Sequence, residues 1–269
     1  MPQAGLRAAE YSQPGNGLST KMSNTSRQAK VLQALGFIAT SLWPATCVLC
    51  GRRSDIASRD LCSDCEADLP ANDRACSVCA EPLATDAREL ICGQCLRRRP
   101  RFDAALCAFR YAYPLDALVR SLKYRNQSAH ARVLGDLLAH RLRRSIEDPL
   151  PDLILPVPLA NGRFRERGYN QALEIGRRLE HALQIPMSTD LIVRTRETPE
   201  QAGLDRKQRR KNIRNAFALS RKPQVRHVAI VDDVITTGST VNEIARVLRK
   251  AGVRRVQVWA VARTAGTRN

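Results

Sequence analysis

The chain has 269 residues, enough for one large domain or two small ones. A hydrophobic fraction of 43% beside a charged fraction of 26% permits a real core and excludes a wholly disordered chain. Lys and Arg total 44 against 26 Asp and Glu, a formal charge of +18 that favours anionic partners such as nucleic acid, phosphorylated metabolites or acidic lipid; aromatics at 4% argue against a surface of stacking rings.

Residues 1–28 are rich in Ser, Gln, Asn, Gly and Ala and hold no apolar run, so no secretory signal is visible. The composition predicts a disordered tail, or an upstream start-codon artefact. Residues 29–43 predict an amphipathic helix, with Leu32, Leu35, Ala39 and Leu42 on one face. Its apolar stretch VLQALGFIATSLW has 13 residues, short of the roughly 20 that span a bilayer. A helix packed on the body of the protein is expected; a membrane-surface helix is the weaker alternative, because Lys30 is its only nearby cation.

Residues 44–98 carry eight of the nine cysteines, as Cys47/Cys50, Cys62/Cys65, Cys76/Cys79 and Cys92/Cys95. Two residues between cysteines let a tight turn aim both sulfurs at one cation, and two such knuckles close a tetrahedral site. Four pairs predict two zinc ions in a double zinc ribbon, in a reducing cytosol rather than a secreted disulfide framework. All-thiolate ligation leaves no open position for water, so both ions are expected to be structural. Sequential pairing has the shortest loop closures, and interleaved pairing stays open. An iron–sulfur cluster and a redox dithiol are the lesser alternatives. Gly51 and Gly93 stand where a knuckle often needs positive φ. Cys107, alone in the run AALCAF, is expected as a small buried hydrophobe.

Beyond the cysteines, 104–111 predicts a strand, 114–124 and 128–144 predict helices, 153–157 a buried strand, and 255–263 a final strand. The segment VAIVDDVITTGST is the most informative in the chain. Val228–Val231 predicts a buried parallel strand, Asp232 and Asp233 follow at its carboxyl end, and a helical pattern over 241–252 stops at Gly252. Ligands of open α/β sheets bind at that end of the strands. Gly238 lets backbone amides approach a ligand, the helix start favours phosphate, and the hydroxyls of Thr236, Thr237, Ser239 and Thr240 can donate to its oxygens. Two adjacent carboxylates would repel phosphate. They suit the vicinal hydroxyls of a ribose or a nearby Mg²⁺. A simple Asp helix cap would account for Asp233 but not for the Thr-Thr-Gly-Ser-Thr run.

Two basic segments add to this. Arg163, Arg165 and Arg167 lie between the 153–157 strand and a helix opened by Gly168, Tyr169, Asn170 and Gln171 and ending near Leu183. They can hold a second, more highly charged anion, with a solvated basic turn as the alternative. Arg206, Lys207, Arg209, Arg210, Lys211 and Arg214 fit a mobile flap, a contact for single-stranded nucleic acid, or a plain exposed helix. Arg97, Arg98, Arg99 and Arg101 extend the positive surface beside the cysteine module. His130, His140, His181 and His227 show no ligand spacing and receive no catalytic role.

The 228–240 block resembles the phosphoribosyl diphosphate (PRPP) signature of type I phosphoribosyltransferases. From about 42 to 263 the chain is similar to the ComF family: the cysteine ribbon, LKYRNQ at 122–127, PVPL at 156–159, RERGYNQ at 165–171, RTRETPEQAGL at 194–204, RRKNIRNAF at 209–217 and VDDVITTGST at 231–240. The resemblance implies an α/β fold over 102–264, a type I phosphoribosyltransferase-like parallel sheet flanked by helices, with the zinc ribbon N-terminal to it. It implies PRPP binding with magnesium by Asp232, Asp233 and Thr236–Thr240, Asp232 and Asp233 being the catalytic candidates, and pyrophosphate binding by Arg163, Arg165, Arg167 and Gly168. It also implies handling of incoming single-stranded DNA in natural transformation, in the cytoplasm or peripherally at the inner face of the membrane. Transfer of ribose 5-phosphate to a nitrogenous base is a second reading. A PRPP-sensing adaptor for a DNA-uptake helicase or channel is a third.

Overall fold

The computed structural model describes residues 45–56, 59–84, 90–122, 128–145, 149–159, 162, 168–196 and 206–266. The expected tail at 1–28 and helix at 29–43 lie outside them. In chain order the elements are α1 (Ser63–Ala67), α2 (Gly93–Arg97), β1 (Ala104–Arg110), α3 (Leu115–Ser121), α4 (Ser128–Ser145), β2 (Leu153–Pro156), α5 (Gln171–Leu183), β3 (Ile192–Arg194), α6 (Arg206–Ile213), β4 (Phe217–Leu219), β5 (His227–Ile235), α7 (Ser239–Lys250) and β6 (Arg255–Arg263).

The continuous apolar runs become a four-stranded sheet in the order β1-β6-β5-β2, parallel throughout. Successive side chains of a strand point to opposite faces. Thus Ala229 and Val231 of β5 join Trp259 and Val261 of β6 in one core, while Val228 and Ile230 join Val256 and Val258 in the other. Helices cover both faces, which is why these strands are apolar without alternation. The first face is covered through Leu118, Leu134, Leu138, Ile175 and Leu179, the second through Val241, Ile244 and Leu248 of α7. Helices α4 and α5 approach closely at Gly135, where a Cβ would lie 2.7 Å from Cβ of Arg178. Beside it the Arg178 guanidinium donates to both oxygens of Asp136 at 2.8–3.0 Å.

The cysteine segment is built into both cores. Leu61, Cys62 and Leu69 pack with Leu115 and Leu118, whereas Val78, Cys79 and Ala80 pack with Phe102 and Val258. Between them the chain runs along the outer edge of β1: the Arg110 amide donates to the Pro70 carbonyl at 2.8 Å, and the Asn72 amide donates to the Ala108 carbonyl at 3.1 Å. That contact covers an edge strand that would otherwise expose its backbone groups. Ion pairs Arg132–Asp60 and Arg141–Asp73 add ties from α4.

Three features differ from the sequence expectation. Strand β5 continues past Val231 to Ile235, so both acids sit within a paired strand, Asp232 opposite Ala260. Helix α7 starts two residues earlier than 241, at Ser239. The short antiparallel pair β3–β4 was not anticipated. Among the described residues no helix is long and apolar enough to cross a membrane.

Candidate functional site

The carboxyl ends of β2 and β5 lie side by side, because the Val157 amide donates to the Val231 carbonyl at 2.9 Å. Both basic and hydroxyl-rich loops therefore leave from the same rim of the sheet. At that rim the Asp233 amide donates to Oδ1 of Asp232 at 3.0 Å, and the Val234 amide donates to Oδ1 of Asp233 at 2.7 Å. These bonds pin one oxygen of each carboxylate. Burial, and then the neighbouring Asp233 charge, push the Asp232 carboxyl well above the usual carboxylate range. Two such groups held together call for a cation or for hydroxyl donors.

The loop Thr236–Gly238 turns directly into α7. Gly238 has φ +71°, a left-handed value that favours glycine. The hydroxyls of Thr237 and Ser239 are 2.8 Å apart, and the Ser239 amide donates to Thr237 Oγ1 at 3.3 Å. No side chain caps α7, and its first turn carries no acidic residue. Beyond the Ser239 amide, the next amides of its first turn, those of Thr240 and Val241, face the loop without a side-chain cap, and the helix dipole there favours an anion. Asp232, Asp233 and Thr236–Thr240 consequently form one contiguous cradle, each partly buried.

Two residues that the sequence did not single out belong to this rim. The Tyr111 amide donates to the Arg263 carbonyl at 2.8 Å. Burial raises the Tyr111 phenol, and its electrostatic neighbours are Arg120, Asp116 and Asp233. Arg263 is only 2% exposed and reaches the start of the phosphate loop. A charged residue closing the apolar run VQVWAVA was the available signal for it.

The second loop is described only at its ends. Arg163, Arg165 and Arg167 lie outside the described residues. Gly168 has φ +78°. Asn170 caps α5, its Oδ1 accepting the Ala172 amide at 3.0 Å, while its Nδ2 donates to the Val157 carbonyl at 3.0 Å. Gln171 is buried and donates to the Leu122 carbonyl at 3.2 Å. Asn170 therefore closes the base of the loop on Val157, while Gln171 ties the start of α5 to the end of α3. In α6 the side chains of Arg206, Lys207, Arg209 and Arg210 lie outside the described residues; Lys211 and Arg214 are exposed, and Ile213 is buried in the core beneath α7. His227 is buried at the opposite end of β5, away from the rim.

The cysteines gather as Cys47, Cys50, Cys62 and Cys65, and as Cys76, Cys79, Cys92 and Cys95, with all four sulfurs of each group within 4.8 Å. Sequential pairing is thus the arrangement adopted. A tetrahedral Zn–S bond of about 2.3 Å requires sulfurs about 3.8 Å apart. Cys50 and Cys62 are 3.8 Å apart, and Cys79 and Cys92 are 3.6 Å apart. The donor sets are compatible with two structural zinc ions. Each site combines one turn knuckle with one helical knuckle, Cys62 and Cys92 preceding α1 and α2. Gly51 has the expected positive φ, but its counterpart is Ala80 at φ +55°, not Gly93, because Gly93 opens a helix. Cys107 is buried on β1 outside both groups, and burial pushes its thiol up to about 12.

Residues 38–108 match the double zinc ribbon domain, and residues 170–268 match the phosphoribosyl transferase domain. Competence protein F of Haemophilus influenzae is 40% identical over 223 residues, covering 81% of this chain and 96% of that protein. The DNA utilization protein YhgH of Escherichia coli O157:H7 is 38% identical over 224 residues, covering 82% of this chain and 98% of that protein. Among solved structures, glutamine phosphoribosylpyrophosphate amidotransferase from B. subtilis aligns with a TM-score of 0.35 at 20% identity, over 53% of this chain and 30% of that one. Identity at this level across nearly the full length of Competence protein F and YhgH, with the ribbon preceding the phosphoribosyltransferase-type domain, makes the chain a member of the ComF family.

Proposed function

We propose that the chain binds PRPP with magnesium at the rim of the sheet and handles single-stranded DNA in the cytoplasm during natural transformation. The observation that carries the first part is the cradle: Asp232 and Asp233 within the carboxyl-terminal half of β5, a left-handed Gly238, and a helix start without a side-chain cap, lined by Thr and Ser hydroxyls. In this reading the 5-phosphate takes the amides and hydroxyls of Thr236–Thr240. The ribose hydroxyls donate to Asp232 and Asp233, which relieves the mutual repulsion of the two acids. Magnesium, when it accompanies PRPP, neutralises diphosphate charge. Arg163, Arg165 and Arg167, with Gly168 at the end of their loop, would face the pyrophosphate. The names of the two relatives, which speak of competence and DNA utilization, support the second part, as does the charge of +18. On that reading Lys211, Arg214 and their neighbours in α6 follow the DNA backbone. A DNA-uptake helicase or channel is the partner expected there.

Calorimetric titration with PRPP and magnesium tests the cradle. The double variant Asp232→Asn, Asp233→Asn should weaken binding by about 100-fold, the loss of two charged hydrogen bonds. Unchanged affinity would overturn the carboxylate assignment. Fluorescence anisotropy with single-stranded DNA, from low to physiological salt, should show affinity falling steeply, because the contacts are to phosphates. Pyrophosphate release with candidate bases separates transfer from binding.

A further inference from the structure

Arg263 lies at the end of β6, almost fully buried, and its guanidinium spans two parts of the protein. On one side its Nε donates to the Cys79 carbonyl at 3.1 Å, and its Nη2 is 3.5 Å from Oε2 of Glu81. On the other side its Nη1 donates to the carbonyls of Ile235 and Thr264, each at 3.0 Å, and to that of Thr236. Cys79 is a ligand-set residue of the second cysteine group. Thr236 begins the phosphate loop. A buried cation is costly unless it is paired and hydrogen-bonded, and the partners of this one come from those two segments and the end of its own strand.

We propose that Arg263 is a positioning residue through which the Cys76–Cys79–Cys92–Cys95 metal site holds the Thr236–Thr240 loop in its ligand-binding form. The inference rests on the cradle reading given above. The geometry supplies a direct route. A trans peptide is planar, with its carbonyl and amide pointing in opposite directions. Anchoring the Thr236 carbonyl on Arg263 therefore aims the Thr237 amide away from the guanidinium. The Thr264 hydroxyl holds the same carbonyl at 3.4 Å. On the metal side the Cys76 amide donates to the Glu81 carbonyl at 2.8 Å and the Ala80 amide to the Cys76 carbonyl at 2.8 Å. The turn that presents the Cys79 carbonyl and the Glu81 carboxylate is thus the knuckle itself. A Cβ at Gly266 would collide with the Glu81 carboxylate, so the chain beyond β6 closes over this contact as well. The Cys47–Cys65 site has a different neighbourhood. It packs into the core on the opposite face of the sheet and is tied to α4 through Asp60 and Arg132.

The test compares zinc-loaded full chains carrying Cys76→Ser, Cys50→Ser or Arg263→Lys. Zinc content, hydrogen exchange of amides 236–240 and PRPP affinity are read on each. Cys76→Ser should lose one zinc, exchange its loop amides about tenfold faster and weaken PRPP by about tenfold. Cys50→Ser should also lose one zinc yet keep both loop readouts within about twofold of the parent. Arg263→Lys, which keeps the charge but not the fork of donors, should retain both zinc ions and still show the faster loop exchange. Amides of β3 and β4 serve as the internal control for general unfolding. Loop exchange unchanged in Cys76→Ser and Arg263→Lys overturns the proposal, and so does an equal response to Cys50→Ser. If the parent protein binds no PRPP, the cradle reading fails, while the exchange comparison still decides the coupling.

Discussion

The Asp232 carboxylate accepts the amide of its neighbour, while a second carboxylate sits one residue away in the same strand. Burial and that neighbour raise its pKa in the folded chain. For an acid shifted upward, the stabilising contribution is complete below its unfolded value, near 3.9, and is lost as pH rises through the folded value. As pH rises above that unfolded value the free protein therefore loses stability at this position, a cost that a ligand donating hydrogen bonds to the carboxylate would relieve. Asp232→Asn should raise the melting temperature at pH 7.5, by about 2–4 °C for each kcal/mol recovered. The gain should shrink as pH falls toward 4, where the native side chain is itself protonated. Thermal melts at the two pH values check this; a lower melting temperature at pH 7.5 would mean that the carboxylate stabilises the free fold. The twin acids were visible in the sequence as residue types. Their conflict was not, because it depends on how far β5 extends and on what encloses its end.

At the scale of elements, the apolar runs of β2, β5 and β6 were legible because each strand is buried on both faces and so lacks alternation. The three-residue strands β3 and β4 are too short to carry a period. The start of α5 shows another limit. Nothing local in the Gly-Tyr-Asn-Gln string announces that Asn170 closes the base of the basic loop on Val157 or that Gln171 reaches Leu122 at the end of α3. Asn170→Ala removes the cap of α5 and the tie to Val157 together. It should destabilise the protein by about 1–2 kcal/mol in urea titrations. It should also weaken PRPP binding, since the loop bearing Arg163, Arg165 and Arg167 loses one of its fixed ends. Weakened stability with full affinity would detach that loop from the ligand.

At the scale of the whole molecule, the cysteine pairs announced metal sites, but their place in the fold was hidden. The contacts that set it join residues far apart in sequence, such as Arg263 and Cys79, separated by 184 positions. No local pattern encodes a pairing of that range. Its consequence is energetic. Leu61, Cys62 and Leu69 contribute to one core, Val78, Cys79 and Ala80 to the other, and the segment between them covers the edge of β1. A metal that binds the folded but not the unfolded chain stabilises everything that unfolds with it. Stripping both ions with a chelator should therefore lower the temperature of one cooperative transition, by about 10 °C or more given the affinities of thiolate zinc sites. A ribbon that merely hung from the α/β body would give a different thermogram: a small early transition would appear, and the main one would keep its temperature. Calorimetry with and without chelator, at one ionic strength and protein concentration, distinguishes the two. Restoring zinc to the stripped protein should return the single transition, provided the thiols are kept reduced.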